Sequence, residues 1–183
     1  MKKLFFAISA LLLIHTSFAQ KRYFTKTGTV SFQAGTALED IDGTNKSTTT
    51  VFDASSGQIE FSLLVKGFEF KSALMQEHFN ENYMESDKYP KSIFKGKITN
   101  IDKVNFQKEG NYPVTVKGTL ELHGVTKDVE TNGTFKVAGE GVESVAEFVV
   151  TLEDYKIAIP GVVKDKISKT AKIKVNCNYA VLK

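Results

Sequence analysis

The chain has 183 residues, 42% of them hydrophobic and 25% charged, with a formal net charge of +3. A single cysteine, Cys177, excludes an intramolecular disulfide framework. The small positive balance, part of it from Lys2 and Lys3, marks neither nucleic acid nor an anionic membrane surface as a partner. The length suits one domain with a substantial core.

The first segment reads as an address. Lys2 and Lys3 precede an apolar run at 4–14, and Ser17 and Ala19 occupy the small-residue positions of a cleavage site. The run is too short to cross a bilayer, which takes about 20 residues. Residues 1–19 are therefore expected to be a signal peptide. The remainder, 20–183, is expected to be one exported domain, periplasmic or extracellular, with no stable membrane anchor.

Strand patterns follow almost continuously. Val30 and Phe32 share a face of a first strand near 27–33. The polar stretch 38–50 reads as a loop opening into a strand at Val51 and Phe52. After the Ser56-Gly57 turn, Ile59, Phe61, Leu63 and Val65 alternate with polar residues. The parity changes at Gly67, which predicts a bulge.

One helix is expected at 73–84, with Ser72 as its N-cap and Met75, Phe79 and Tyr83 along one face. That face either caps a barrel mouth or packs outside. Pro90 limits the helix. Phe94 and Ile98 then open another strand, and Ile101, Val104 and Phe106 form a less regular one.

The stretch 112–127, YPVTVKGTLELHGVTK, has period-two alternation, with Val114, Val116, Leu120 and Leu122 on one parity. A tight hairpin at 124–127 leads to Val129, Thr131, Phe135 and Val137. Asn132-Gly133 reads as a bulge. Ala146, Phe148, Val150 and Leu152 alternate next, followed by Tyr155, Ile157 and Ile159 with shifted parity. A last strand covers 171–181, with Val175 and Cys177 facing inward.

Eight to ten long sequential strands with one inserted helix predict an all-β, antiparallel up-and-down barrel, because closure removes exposed edges. The expected lining of its interior is Phe61, Leu63, Val65, Phe94, Ile98, Val116, Leu120, Phe135, Phe148, Val150, Ile157 and Val175. Parity alone does not separate a lined cavity from a filled core.

Catalytic and metal motifs are not evident. His78 lies among Glu77, Glu81 and Asp87 without a second converging ligand, and His123 has outward parity. The chain lacks a G-x-S-x-G elbow and a glycine-rich phosphate loop. Glu153 and Asp154, as strand neighbours, would point to opposite faces. Neither a cofactor nor a catalytic residue is expected.

The segments GTLELHGVTK at 118–127 and KYPKSIF at 88–94, with a helix following an apolar strand, resemble the YceI-like family. The matching positions are Gly118, Leu120, Leu122, Gly124, Val125 and Thr126 in the hairpin, and Tyr89, Pro90 and Phe94 before it. The family's arginine-aspartate-aromatic-glycine segment is altered: Leu152 stands for the arginine, Asp154 and Tyr155 fit, and Lys156 replaces the glycine. The resemblance implies a lipocalin-like barrel that binds polyisoprenoids or other long amphiphiles, without covalent chemistry. It leaves open a filled-barrel interaction module, a small secreted enzyme, and either a monomer or a homodimer.

Overall fold

Eight antiparallel strands close into one barrel in the order β1 to β8, with β1 paired to β8. The structure is a computed structural model and describes residues 21–182, so the leader expected at 1–19 lies outside the described residues. The strands are β1 (Arg22–Gly35), β2 (Asp42–Asp53), β3 (Gln58–Leu64), β4 (Lys91–Ile98), β5 (Gly110–Leu122), β6 (Val125–Ala138), β7 (Gly141–Thr151) and β8 (Ile167–Val181). Side chains of one parity face the interior, as the pleat of a closed sheet requires.

Several local expectations are corrected. The polar stretch 38–50 is mostly strand, because β2 begins at Asp42. Its inward residues are Asn45, Thr48 and Thr50, so the buried face is polar and hydrophobic alternation does not mark it. Gly67 is no bulge. β3 ends at Leu64 in a 3-10 turn, Val65–Gly67, whose first N–H donates to the Pro90 carbonyl at 2.9 Å. Residues Ile101–Lys103 form a 3-10 turn rather than a strand, and Glu153–Tyr155 forms another.

The β5–β6 hairpin turns at His123 and Gly124, not at 124–127. Both have positive φ, 51° and 71°, as a two-residue turn matched to strand twist requires. β6 runs through Asn132 and Gly133 with unbroken register against β5, so the bulge expected there is absent. A bulge does occur where β1 meets β2, between Gly28↔Thr48 and Val30↔Asn45. It switches the parity of β2 and turns Thr48 inward.

The helix is α1 (Ala73–His78), capped by the Ser72 hydroxyl, which accepts from the Met75 N–H at 3.4 Å. It continues as a π-helical turn, Phe79–Tyr83, rather than as α-helix to 84. The Met84 N–H donates to the Phe79 carbonyl at 2.8 Å, an i to i−5 bond that widens the turn.

Two apolar clusters fill the ends of the barrel. At one end Tyr23, Phe52, Phe135 and Tyr179 are buried with Ile98, Val114 and Cys177. Phe52 stacks on Tyr23 at 4.8 Å and meets Phe135 and Tyr179 at 4.9 Å each. At the other end Phe32, Val65, Phe68, Val150, Tyr155 and Ile157 form a second cluster beside the helix.

Candidate functional site

Between these clusters lies a cavity of about 490 Å³. That volume falls within the range of ordinary small-molecule sites, about 300–1,000 Å³. The closed-end residues Ile59, Val114 and Phe135 form its floor. Its mouth lies beside the helix, where exposed Leu74 and His78 and the Glu39–Lys166 ion pair (2.9 Å) border it.

The expected lining residues separate by height along the bore. Phe61, Phe94 and Val116 pack against the closed-end cluster just above Phe135. Leu63, Val65, Leu120, Phe148, Val150 and Ile157 belong to the mouth cluster and also border the cavity. Val175 touches both clusters. Ile98 does not border the cavity. It is fully buried beneath the floor, because parity sets which face a side chain takes but not its height along the axis.

The interior is therefore not packed solid, and one local arrangement helps keep it open. Gly96 and Gly118 oppose each other in the β4–β5 register, both facing inward. The Phe94 ring occupies the space their missing side chains leave. A Cβ at either glycine would come within 2.7 Å of the ring's Cζ. The ring lies along the wall rather than across the bore.

Met75, Phe79 and Tyr83 all border the cavity, which places the helix face over the mouth. Phe79 stacks on Phe32 at 5.3 Å and meets Phe70 at 4.9 Å and Phe68 at 5.5 Å. The wide π turn lets Met84 join this inward face, where it is buried. Beside the mouth, β6 and β7 pair only over Gly133–Ala138 of β6. Above that they part, bridged by the Thr131 hydroxyl, which donates to the Glu147 carbonyl at 2.9 Å.

The sequence reading missed Val30, Phe32, Ile41, Phe68 and Phe70 as lining, although Val30 and Phe32 carry the inward parity of β1. It also missed the polar residues of the floor, Thr48 and Ser144. Nothing in the hydrophobic pattern marks those two.

Chemistry at the walls is muted. Burial pushes the Cys177 thiol up to about 11, against hydrogen bonds with Tyr179 and Ser144 that favour the thiolate. Burial likewise raises Tyr179. Both therefore stay neutral at physiological pH. Among the described residues, no three His, Cys, Asp or Glu side chains converge to hold a metal. Glu153 and Asp154 are exposed on a 3-10 turn, away from the cavity.

His123 is not the surface residue its parity suggested. Its side chain is 10% exposed. The Tyr155 carbonyl accepts from Nδ1 at 2.9 Å, and Nε2 faces Glu85.

The family model for the YceI-like domain matches residues 22–179, nearly the whole barrel. The chain belongs to the YceI-like family. Solved structures share this fold. One is a polyisoprenoid binding domain from Saccharophagus degradans implicated in plant cell wall breakdown. It has 12% identity and a TM-score of 0.76, over 89% of this chain and 99% of that one. Burkholderia cenocepacia BcnA shares 15% identity at a TM-score of 0.70, over 84% and 96%. A Campylobacter jejuni YCEI protein shares 17% at 0.55, over 77% and 84%. No curated protein matches this YceI-like chain.

Proposed function

We propose that this protein binds one long apolar or amphiphilic molecule, an isoprenoid or a fatty acid or amide, within the barrel and carries or sequesters it without covalent chemistry. The observation that carries this reading is the apolar bore of about 490 Å³ with a floor, a mouth and a helix laid across that mouth. The similarity to the Saccharophagus degradans domain, described as polyisoprenoid binding, supports the same ligand class.

The energetics are sufficient. Each methylene transferred from water gains about 0.8 kcal/mol, so ten supply about 8 kcal/mol. Association costs about 4–15 kcal/mol, and micromolar affinity takes about 8 kcal/mol net, so at the low end of that cost about fifteen methylenes reach it without a dedicated polar constellation. Export, with cleavage before Gln20, belongs to the same proposal, supported by Lys2 and Lys3 ahead of the apolar run at 4–14 and by Ser17 and Ala19.

The test is organic extraction of protein purified without detergent, followed by mass spectrometry. A stoichiometric long-chain molecule is expected. An empty extract, together with no uptake of the dye N-phenyl-1-naphthylamine by the same protein, would sink the reading.

A further inference from the structure

The floor of the bore is polar on one side. Thr48 is fully buried, borders the cavity, and among the described residues its Oγ1 has no hydrogen-bond partner. A buried hydroxyl without a partner costs about 1–3 kcal/mol, so such a group is rarely left idle in a native interior. Thr48 faces inward only because of the bulge between β1 and β2, a local distortion that re-aims a side chain.

Its surroundings specify what it can receive. Thr48 pairs with Gly28, and the Cys177 sulfur fills the space left by the missing side chain. A Cβ at Gly28 would come within 2.7 Å of the Cys177 sulfur. Cys177 pairs with Ser144, which also borders the cavity and is engaged by Cys177 and Tyr179. The Tyr179 hydroxyl lies 3.2 Å from that of Thr50. This row spans β2, β1, β8 and β7, and its other hydroxyls have partners. None of its members is charged. The charged groups that border the cavity, Glu39 and Lys166, are at the mouth.

We infer that Thr48 forms a seat at the floor of the bore for an uncharged hydrogen-bonding group, a hydroxyl, carbonyl or amide, on the leading end of the ligand. The inference rests on the binding function proposed above and adds a direction of insertion. A ligand with a neutral polar end enters that end first. One with a charged end enters tail first and leaves its charge at the mouth, because an ion at the floor would be desolvated without a counter-ion.

The experiment is competition against bound N-phenyl-1-naphthylamine by dodecanol, dodecane and dodecanoate, in the wild type, Thr48→Val and Thr48→Ser. Thr48→Val keeps the shape and removes the hydroxyl. It is expected to weaken dodecanol by about three- to tenfold while leaving dodecane and dodecanoate within about twofold. Thr48→Ser is expected to retain the wild-type preference. Equal weakening of all three chains by Thr48→Val, or of none, overturns the seat while leaving the binding function intact. Failure of every chain to displace the dye from the wild type removes the binding function itself.

A measurement free of variants uses dodecanol brominated at the carbon farthest from its hydroxyl. Anomalous scattering from crystals of the wild-type complex is expected to place bromine at the mouth, near Phe79. Bromine at the floor, or a water retained on Thr48 Oγ1 beneath the bound chain, overturns the proposal.

Discussion

Nε2 of His123 lies 3.2 Å from Oε2 of Glu85, joining the β5–β6 turn to the chain that leaves the mouth helix. Both residues have positive φ, 51° and 42°. The contact thus brings together two turns whose backbones are individually unfavourable for L-residues. The His123 ring also packs edge-on against Tyr89 at 4.8 Å, and Tyr89 in turn covers Gly124, leaving no space for a Cβ there. The two sequence segments that carry the family resemblance are therefore in direct contact.

Replacing His123 by Ala removes both polar contacts and is expected to cost about 1–3 kcal/mol. His123→Asn, which tolerates positive φ, is expected to recover only part of that loss. Urea unfolding of the three proteins checks the order. Equal stability of all three would show that the link contributes nothing.

Gly118→Ala is expected to cost about 1–3 kcal/mol, because the new methyl meets the Lys95 carbonyl oxygen and the Phe94 ring. The displaced ring would move into the bore, so dye uptake should fall as well. Thr119→Ala, one residue away on the outer face, serves as the control and is expected within about 0.5 kcal/mol of wild type. Denaturation and dye titration on the same samples give both readouts.

Lys156 adopts φ 57° at the position where the family pattern has glycine. The left-handed region costs an L-residue about 1–2 kcal/mol, and the greater chain entropy of glycine offsets about 0.5–1 kcal/mol of any relief. Lys156→Gly is thus expected to raise stability by up to about 1 kcal/mol, read as a higher urea midpoint. A lower midpoint would mean that the lysine side chain itself stabilises the turn.

Asp53 closes the β2–β3 connection by accepting from the Ser55 hydroxyl at 2.5 Å and from the Ser55 and Ser56 N–H groups at 2.9 Å each. Burial disfavours its charge, but these hydrogen bonds more than offset that and hold the carboxyl at about 2. The unfolded chain takes up this proton near pH 4 and the folded one only near pH 2. Its contribution, about 2 kcal/mol, is therefore complete above about pH 4 and is lost as the pH falls toward 2. Asp53→Ala is expected to be less stable than wild type at pH 7, with the gap narrowing across that window. A gap independent of pH would assign the effect to packing.

Most of the barrel was legible because its inward faces are apolar and its hairpins short. The alternation from Val114 to Leu122 fixed both strand and face, but the β5–β6 register did not follow, because the turn lies at His123 and Gly124 rather than at 124–127. What escaped was the polar inner face of β2, since Asn45, Thr48 and Thr50 carry no hydrophobic signal and a bulge interrupts their parity. Ile98 was misplaced for a different reason: height along the axis depends on strand stagger, which no single strand encodes. The π turn at Phe79–Tyr83 has no composition of its own, and it became visible only where Phe79 meets Phe32, Phe68 and Phe70.

The aromatic packing of Phe52, Tyr23, Phe135 and Tyr179 turns the barrel into a ruler. A guest shorter than the distance from that stop to the helix is wholly enclosed, whereas a longer one must leave its surplus protruding. Under the proposed carrier function, the protruding part would lie against Phe79 and its neighbours, and chain length would grade retention against release.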